Sequence, residues 1–193
     1  MDDLQKVIRK NSLISGLYLG MVLLVLSIFS FYFITGLVSS QLLIIIVPIF
    51  LSVIFPILIV IFLIMNLRKK IGGYWDFKKA VRGIFIMFLL SYGIQFLGKD
   101  LIFAKLIEPN MALKTKEAMK SATISMLKKT GASQAQIDEK SSSIEKDFNN
   151  QHEVTIGNYI QSLGVTIIFI FVFALIFAAL FKKDLPVLPI EVG

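Results

Sequence analysis

The stretch LLIIIVPIFLSVIFPILIVIFLIMN, residues 42–66, decides what kind of protein this is. It holds no charged residue, and only Ser52, Asn66 and the two prolines, Pro48 and Pro56, interrupt its large apolar side chains. As a helix rising 1.5 Å per residue it is roughly 37 Å long, against a bilayer hydrocarbon core about 30 Å thick. In a bilayer such a segment satisfies its backbone internally and leaves its side chains to lipid. Three further stretches of the same character are residues 12–37, 80–98 (uncharged from Gly83 to Leu97) and 156–181. The third is the shortest, and it reaches spanning length only when Ala80 and Val81 are counted with it. The sequence therefore predicts an all-α integral membrane protein of four transmembrane helices, a single membrane domain over residues 1–193.

The composition agrees. Of 193 residues, 56% are hydrophobic and 17% charged, and there is no cysteine. Disulfide frameworks, thiolate metal sites and cysteine nucleophiles are thereby excluded. The first span follows Lys6, Arg9 and Lys10, as in a signal peptide, but its apolar run is too long and ends in Phe31-Tyr32-Phe33-Ile34 rather than at small residues. It reads as an uncleaved signal anchor.

Basic residues near the spans orient the chain. The N-terminal tail carries Lys6, Arg9 and Lys10, the connection between spans two and three carries Arg68, Lys69, Lys70, Lys78, Lys79 and Arg82, and the tail after span four opens with Lys182-Lys183. The connection between spans one and two carries none. All three basic segments fall on one side of a four-span chain, so both termini and the basic loop are expected to face the cytoplasm. Tyr74, Trp75 and Phe77 in that loop suit the membrane interface, and its cations suit anionic lipids at the inner face. Gly72-Gly73 lets the chain turn, and Asp76 is placed to cap the third span. The net charge of +7 is mostly this topological signal, and no nucleic-acid partner is expected.

Residues 100–153 are polar and predict a periplasmic helical hairpin inserted between spans three and four. Met119, Ala122 and Met126 fall on one face of a first helix, and Thr130-Gly131 supplies a stop. Ser133 with Gln136 makes a capping box for a second helix, along which Ile137, Ile144 and Phe148 form a thin apolar seam. So narrow a seam buries little, and helices of this length are marginal in water without tertiary packing. Met119, Met126, Ile137, Ile144 and Phe148 are accordingly the expected partner surface.

Within the apolar stretches of the spans, with Arg82 at the inner edge of the third, no ionisable residue is expected, which argues against a proton-coupled transporter. The polar residues noted there are Ser91, Tyr92 and Gln95 in span three and Asn158, Gln161, Ser162 and Thr166 in span four. Gln95 is expected to reach Gln161 or Asn158 across a helix pair, as structural glue or as a polar vestibule for a lipid headgroup. Gly16 and Gly20 form a GxxxG, and Ala174 and Ala178 a similar notch, both suited to close helix packing. Pro48 and Pro56 should bend span two. His152, the only histidine, has no second ligand at metal spacing, so no metal, cofactor or catalytic residue is expected and the chain does not read as an enzyme.

Several of these features, taken in order, resemble the domain-of-unknown-function family 4199. They are Gly72-Gly73-Tyr74 with Phe77 and Ala80, then Glu108-Pro109, then the run Gly-Ala-Ser-Gln-Ala-Gln-Ile-Asp at 131–138, and last Lys182-Lys183 closing the fourth span. The resemblance covers almost the whole chain; it departs at Glu108, where the family more often has Asp. It implies four spans in the cytoplasmic (inner) membrane of a bacterium, chiefly among Bacteroidota, and it brings no activity and no functional residues. It implies a membrane-associated glycosyltransferase as one partner to consider. The functional expectation is a non-catalytic accessory or scaffolding subunit of a membrane protein complex. The alternatives are a lipid-handling or small-solute transport protein, and an autonomous homo-oligomer built on the GxxxG face.

Overall fold

The computed structural model of the protein describes residues 2–37, 41–152 and 156–184. Its helices are α1 (Asp2–Tyr32), α2 (Gln41–Ile49), α3 (Phe55–Lys70), α4 (Phe77–Gln95), α5 (Met111–Lys129), α6 (Gln134–His152) and α7 (Ile156–Phe181). Three are extended by wider π-helical turns: Phe33–Leu37 continues α1, Phe50–Ile54 joins α2 to α3, and Phe96–Ile107 continues α4. Four helical runs are long and apolar enough to cross a membrane: Asp3–Gly36, Leu42–Lys70, Phe77–Ile107 and Gln161–Phe181. No strand forms among the described residues.

The π turn in the second span lies between its two prolines. Pro56 has no N–H to donate to the preceding turn, so the ladder widens there, and the Phe55 N–H bonds Phe50 instead.

α4 exceeds its expected end at residue 98. Phe103, only 2% exposed, packs edge-on against Phe31 and Tyr32 at 5.6 and 5.9 Å between ring centroids, which holds the extension against the end of α1. At 31 residues the run from Phe77 is about 46 Å long and overruns a 30 Å core by about ten residues. It ends at Glu108-Pro109, where the proline disfavours a helical residue before it: Glu108 has φ −132° and ψ 72°. The hairpin proper therefore begins at Met111 and not at residue 100.

The core lies toward the end of the molecule that carries the basic loop. Ile8 and Leu19 of α1, Val60, Leu63, Ile64 and Leu67 of α3, Ala80, Ile84 and Met87 of α4, and Ala174 and Ala178 of α7 bury together. With buried Ser12 and Ser15 added on α1, these positions recur at three- and four-residue intervals on each helix, so one stripe turns inward and the remainder is left to lipid. α1 against α4 is the most extensive pairing, and α7 also packs on α4.

The hairpin is capped as its sequence predicts. Gly131 takes φ +74°, the left-handed conformation that glycine adopts without a Cβ penalty, and the Ala132 N–H reaches back to Leu127 O at 3.0 Å. Across the turn, the Ser133 N–H donates to Gln136 Oε1 at 3.0 Å and the Gln136 N–H to Ser133 Oγ at 3.4 Å. Those are the two reciprocal bonds of a capping box. The hairpin sits on the membrane helices through α5, which packs along α2.

Candidate functional site

Close helix approach is organised by small residues. A Cβ added to Gly16 would lie 2.7 Å from the backbone oxygen of Met87, and one added to Gly20 would lie 2.7 Å from the Ile94 side chain. The GxxxG face is therefore occupied by α4 of the same chain, which removes it as the face of a homo-oligomer. Gly83 performs the reciprocal service from α4, with Ser12 Oγ and the Trp75 ring each 3.1 Å from where its Cβ would stand. Ser12 is fully buried and its hydroxyl has no hydrogen-bond partner among the described residues. Ala174 and Ala178 are likewise fully buried.

The basic loop is a clamp rather than a free interfacial segment. Gly72 and Gly73, at φ +96° and +84°, reverse the chain after α3. That turn delivers Trp75 into the core at 2% exposure, which corrects its expected place at the membrane interface. The indole Nε1–H donates to Phe181 O at 3.0 Å, and the Arg68 guanidinium donates to the same oxygen at 3.3 Å. The backbones of Trp75 and Lys183 exchange two hydrogen bonds, at 2.9 and 3.0 Å, and the Lys183 ammonium stands over the Tyr74 ring at 5.0 Å. These contacts satisfy a carbonyl at the end of α7 that its own helix leaves open.

Of the remaining cations, Lys79 pairs with Asp76 at 2.7 Å and Arg82 donates to Gln5 at 2.9 Å, while Lys69, Lys70 and Lys78 are exposed. Asp76 caps α4, accepting from the Lys79 N–H at 2.8 Å. The hydrogen bond from the Lys79 side chain, chiefly, holds the Asp76 carboxyl below its ordinary value.

Gln95 turns to α1. Its Nε2–H donates to Gly20 O at 3.2 Å and its Oε1 accepts from the Ser27 hydroxyl at 3.3 Å. Gln161 is exposed on α7, and the side chain of Asn158 lies outside the described residues. Gln95 and Gln161 are thus not brought together: the amide bridges spans one and three.

Beside Gln95 lies a half-open cavity of about 350 Å³, enclosed by α1, the π turn of span two, the extension of α4 and the start of α5. Its polar lining is Ser27, Ser30, Ser52, Gln95, Lys99 and Thr115, and the rest is apolar, including Leu23, Leu26 and Leu51. Lys99, half-buried, is its only charged side chain and makes no ion pair or hydrogen bond among the described residues. Because the helix of span three runs on past residue 98 to Ile107, Lys99, Asp100 and Lys105 lie on its helical extension and not in a loop. The signal missed was the serines of spans one and two, Ser27, Ser30 and Ser52: hydroxyls at i and i+3 in an otherwise apolar helix mark a polar stripe.

In the hairpin, Ala122 and Ile137 are buried, Ile144 and Phe148 are half-buried, and Met119 and Met126 remain 45% and 40% exposed. Lys120 bonds Glu145 across the pair and holds its carboxyl below the ordinary range. Among the described residues, no three His, Asp or Glu side chains gather as a metal site would require.

Four spanning helices with an extramembrane hairpin between the third and fourth define a multi-pass α-helical membrane protein. The chain belongs to the family of proteins of unknown function DUF4199, whose model matches residues 14–183. No curated protein and no solved structure matches it.

Proposed function

We propose that this chain is a non-catalytic accessory or scaffolding subunit of a protein complex in a bacterial cytoplasmic membrane, with both termini and the Gly72–Gly73 loop in the cytoplasm. The observation that carries this reading is the exposure of Met119 and Met126. They lie two turns apart on one face of α5, outside the membrane-spanning segments, and α6 leaves both uncovered. Methionine is adaptable on a docking surface, because its unbranched polarisable side chain repacks at little cost. The basic loop supports an orientation with Lys69, Lys70 and Lys78 against an anionic inner leaflet.

The test is quantitative co-purification of the tagged chain from its native membrane, comparing wild type with Met119→Glu/Met126→Glu. The expected result is a partner recovered in stoichiometric amount with wild type and reduced at least tenfold with the variant, while insertion and yield are unchanged. Equal recovery with both would reject this surface, and recovery of the wild-type chain alone would reject the subunit role.

A further inference from the structure

We propose that the cavity beside Gln95 binds the anionic headgroup of a membrane amphiphile, with the Lys99 ammonium as its counter-charge. The inference is independent of the subunit role and concerns the opposite end of the bundle from the basic loop.

The argument begins with an imbalance. Lys99 is half-buried, the sole charge in a cavity of about 350 Å³, and has no acidic or hydrogen-bonding partner among the described residues. Removing a cation from water without a partner is costly, and an ammonium offers three donors that want acceptors. Asp100, its neighbour in sequence, is exposed and does not pair with it. Ser30 and Ser52, which line the same space, make no side-chain hydrogen bond among the described residues either. One cation and two uncommitted hydroxyls thus converge on a space large enough for a small ligand. The complement of that set is an oxyanion, a phosphate or carboxylate.

The remainder of the lining decides which kind of anion. Most of it is carbon: Leu23, Leu26, Ile34 and Leu51 surround the polar groups. A free inorganic anion would be stripped of water against these side chains without return, whereas an amphiphile lays its own chain over them. The height in the membrane agrees. Lys99 follows Arg82 by 17 residues, about 25 Å of helix, so with Arg82 at one interface Lys99 lies near the other boundary of a 30 Å core. Lipid phosphates are found at that level. α5 roofs the site through Met111 and Thr115, so the hairpin and the bilayer both border it.

The experiment is native mass spectrometry of the full chain in a mild non-ionic detergent, titrated separately with phosphatidylglycerol, phosphatidylcholine and inorganic phosphate. Lys78→Gln serves as the control for lipid held at the basic loop. Wild type and Lys78→Gln should each retain one phosphatidylglycerol at least tenfold more tightly than phosphatidylcholine. Lys99→Gln should abolish that preference and Lys99→Arg should keep it. Ser30→Phe, which fills the cavity while leaving the charge, should lose the lipid, so the proposal stays testable even where Lys99→Gln does not fold. Undiminished preference in both Lys99→Gln and Ser30→Phe would overturn the site. Displacement of the lipid by millimolar inorganic phosphate, itself retained by the protein, would overturn the amphiphile and assign the cavity to a soluble anion.

Discussion

The indole N–H of Trp75 donates to the carbonyl oxygen of Phe181 at 3.0 Å, joining residues 106 apart in sequence. The bond fastens the last turn of α7 to the loop between α3 and α4. Among the described residues α7 packs chiefly on α4, through a stripe that includes Ala174 and Ala178. Trp75→Phe keeps a ring over Gly83 and removes the bond, and should cost about 0.5–1.5 kcal/mol. Trp75→Ala empties the site as well and should cost about 3–5 kcal/mol. Thermal unfolding in detergent, followed by the fraction remaining monodisperse, should rank wild type above Trp75→Phe above Trp75→Ala. Equal loss in both variants would mean that the ring packing contributes nothing beyond the bond.

Gly16 and Gly20 face different obstacles, and that difference is measurable. The Cβ of Gly16→Ala meets the Met87 backbone oxygen, which cannot move without shifting α4; the Cβ of Gly20→Ala meets the Ile94 side chain, whose Cδ1 at 2.7 Å can swing aside but whose Cβ at 2.8 Å is fixed to α4. Overpacking of this kind costs about 1–3 kcal/mol. Gly16→Ala should lie at the upper end and Gly20→Ala somewhat below it. Ile94→Ala, which removes Cδ1 and Cγ2 but keeps Cβ, should recover part of the loss in Gly20→Ala and none of it in Gly16→Ala in a double-mutant comparison. Rescue of both alike would contradict the assignment of backbone to one contact and side chain to the other.

The two glutamines of the spans should behave oppositely. Gln95→Leu loses bonds to Gly20 O and Ser27 and should destabilise by about 0.6–1.7 kcal/mol, the range found for interhelical bonds in membranes. Gln161→Leu, at an exposed position of α7, should be silent in the same unfolding assay. A loss on Gln161→Leu equal to that of Gln95→Leu would restore the pairing between spans three and four that the sequence suggests.

Asp76 supplies a pH signature. Its folded-state pKa lies below the ordinary 3.8, because Lys79 bonds its charged form through side chain and backbone. A depressed carboxylate contributes stability in full above its unfolded value and loses it as pH falls through the lower folded value. Wild type should therefore lose stability relative to Asp76→Asn as pH drops below about 4, the difference between them being constant from pH 5 to 8. A difference that changes between pH 6 and 8 instead would assign the titration to another group.

Much of the architecture was legible because lipid reads composition along the chain. Uncharged runs long enough to cross a bilayer announce themselves, and caps are local: Asp76 before α4, Thr130-Gly131 after α5 and Ser133 with Gln136 before α6 depend on residues within one turn of one another. The helix of span three continues past residue 98 for a reason of the opposite kind. Lys99 and Asp100 look like the edge of a membrane segment, yet Phe103 is held by Phe31 and Tyr32, seventy residues away, and carries the helix onward.

The same division separates what each level determined. By itself the sequence determined four spans, a capped hairpin between the last two and a concentration of positive charge on one side, since each follows from hydropathy, turn chemistry or charge counted over neighbouring residues. The tertiary structure alone decided that Gly16 and Gly20 are covered by α4 and not by a second copy, that Gln95 bonds span one and not span four, and that Trp75 is buried under Phe181. It also decided that Lys99 opens onto a cavity with the serines of two other helices. In a bilayer every helix is apolar around much of its circumference, so hydropathy scarcely marks which face meets which neighbour. That choice is made by shape and by a few polar atoms, and both become visible only when the helices are side by side.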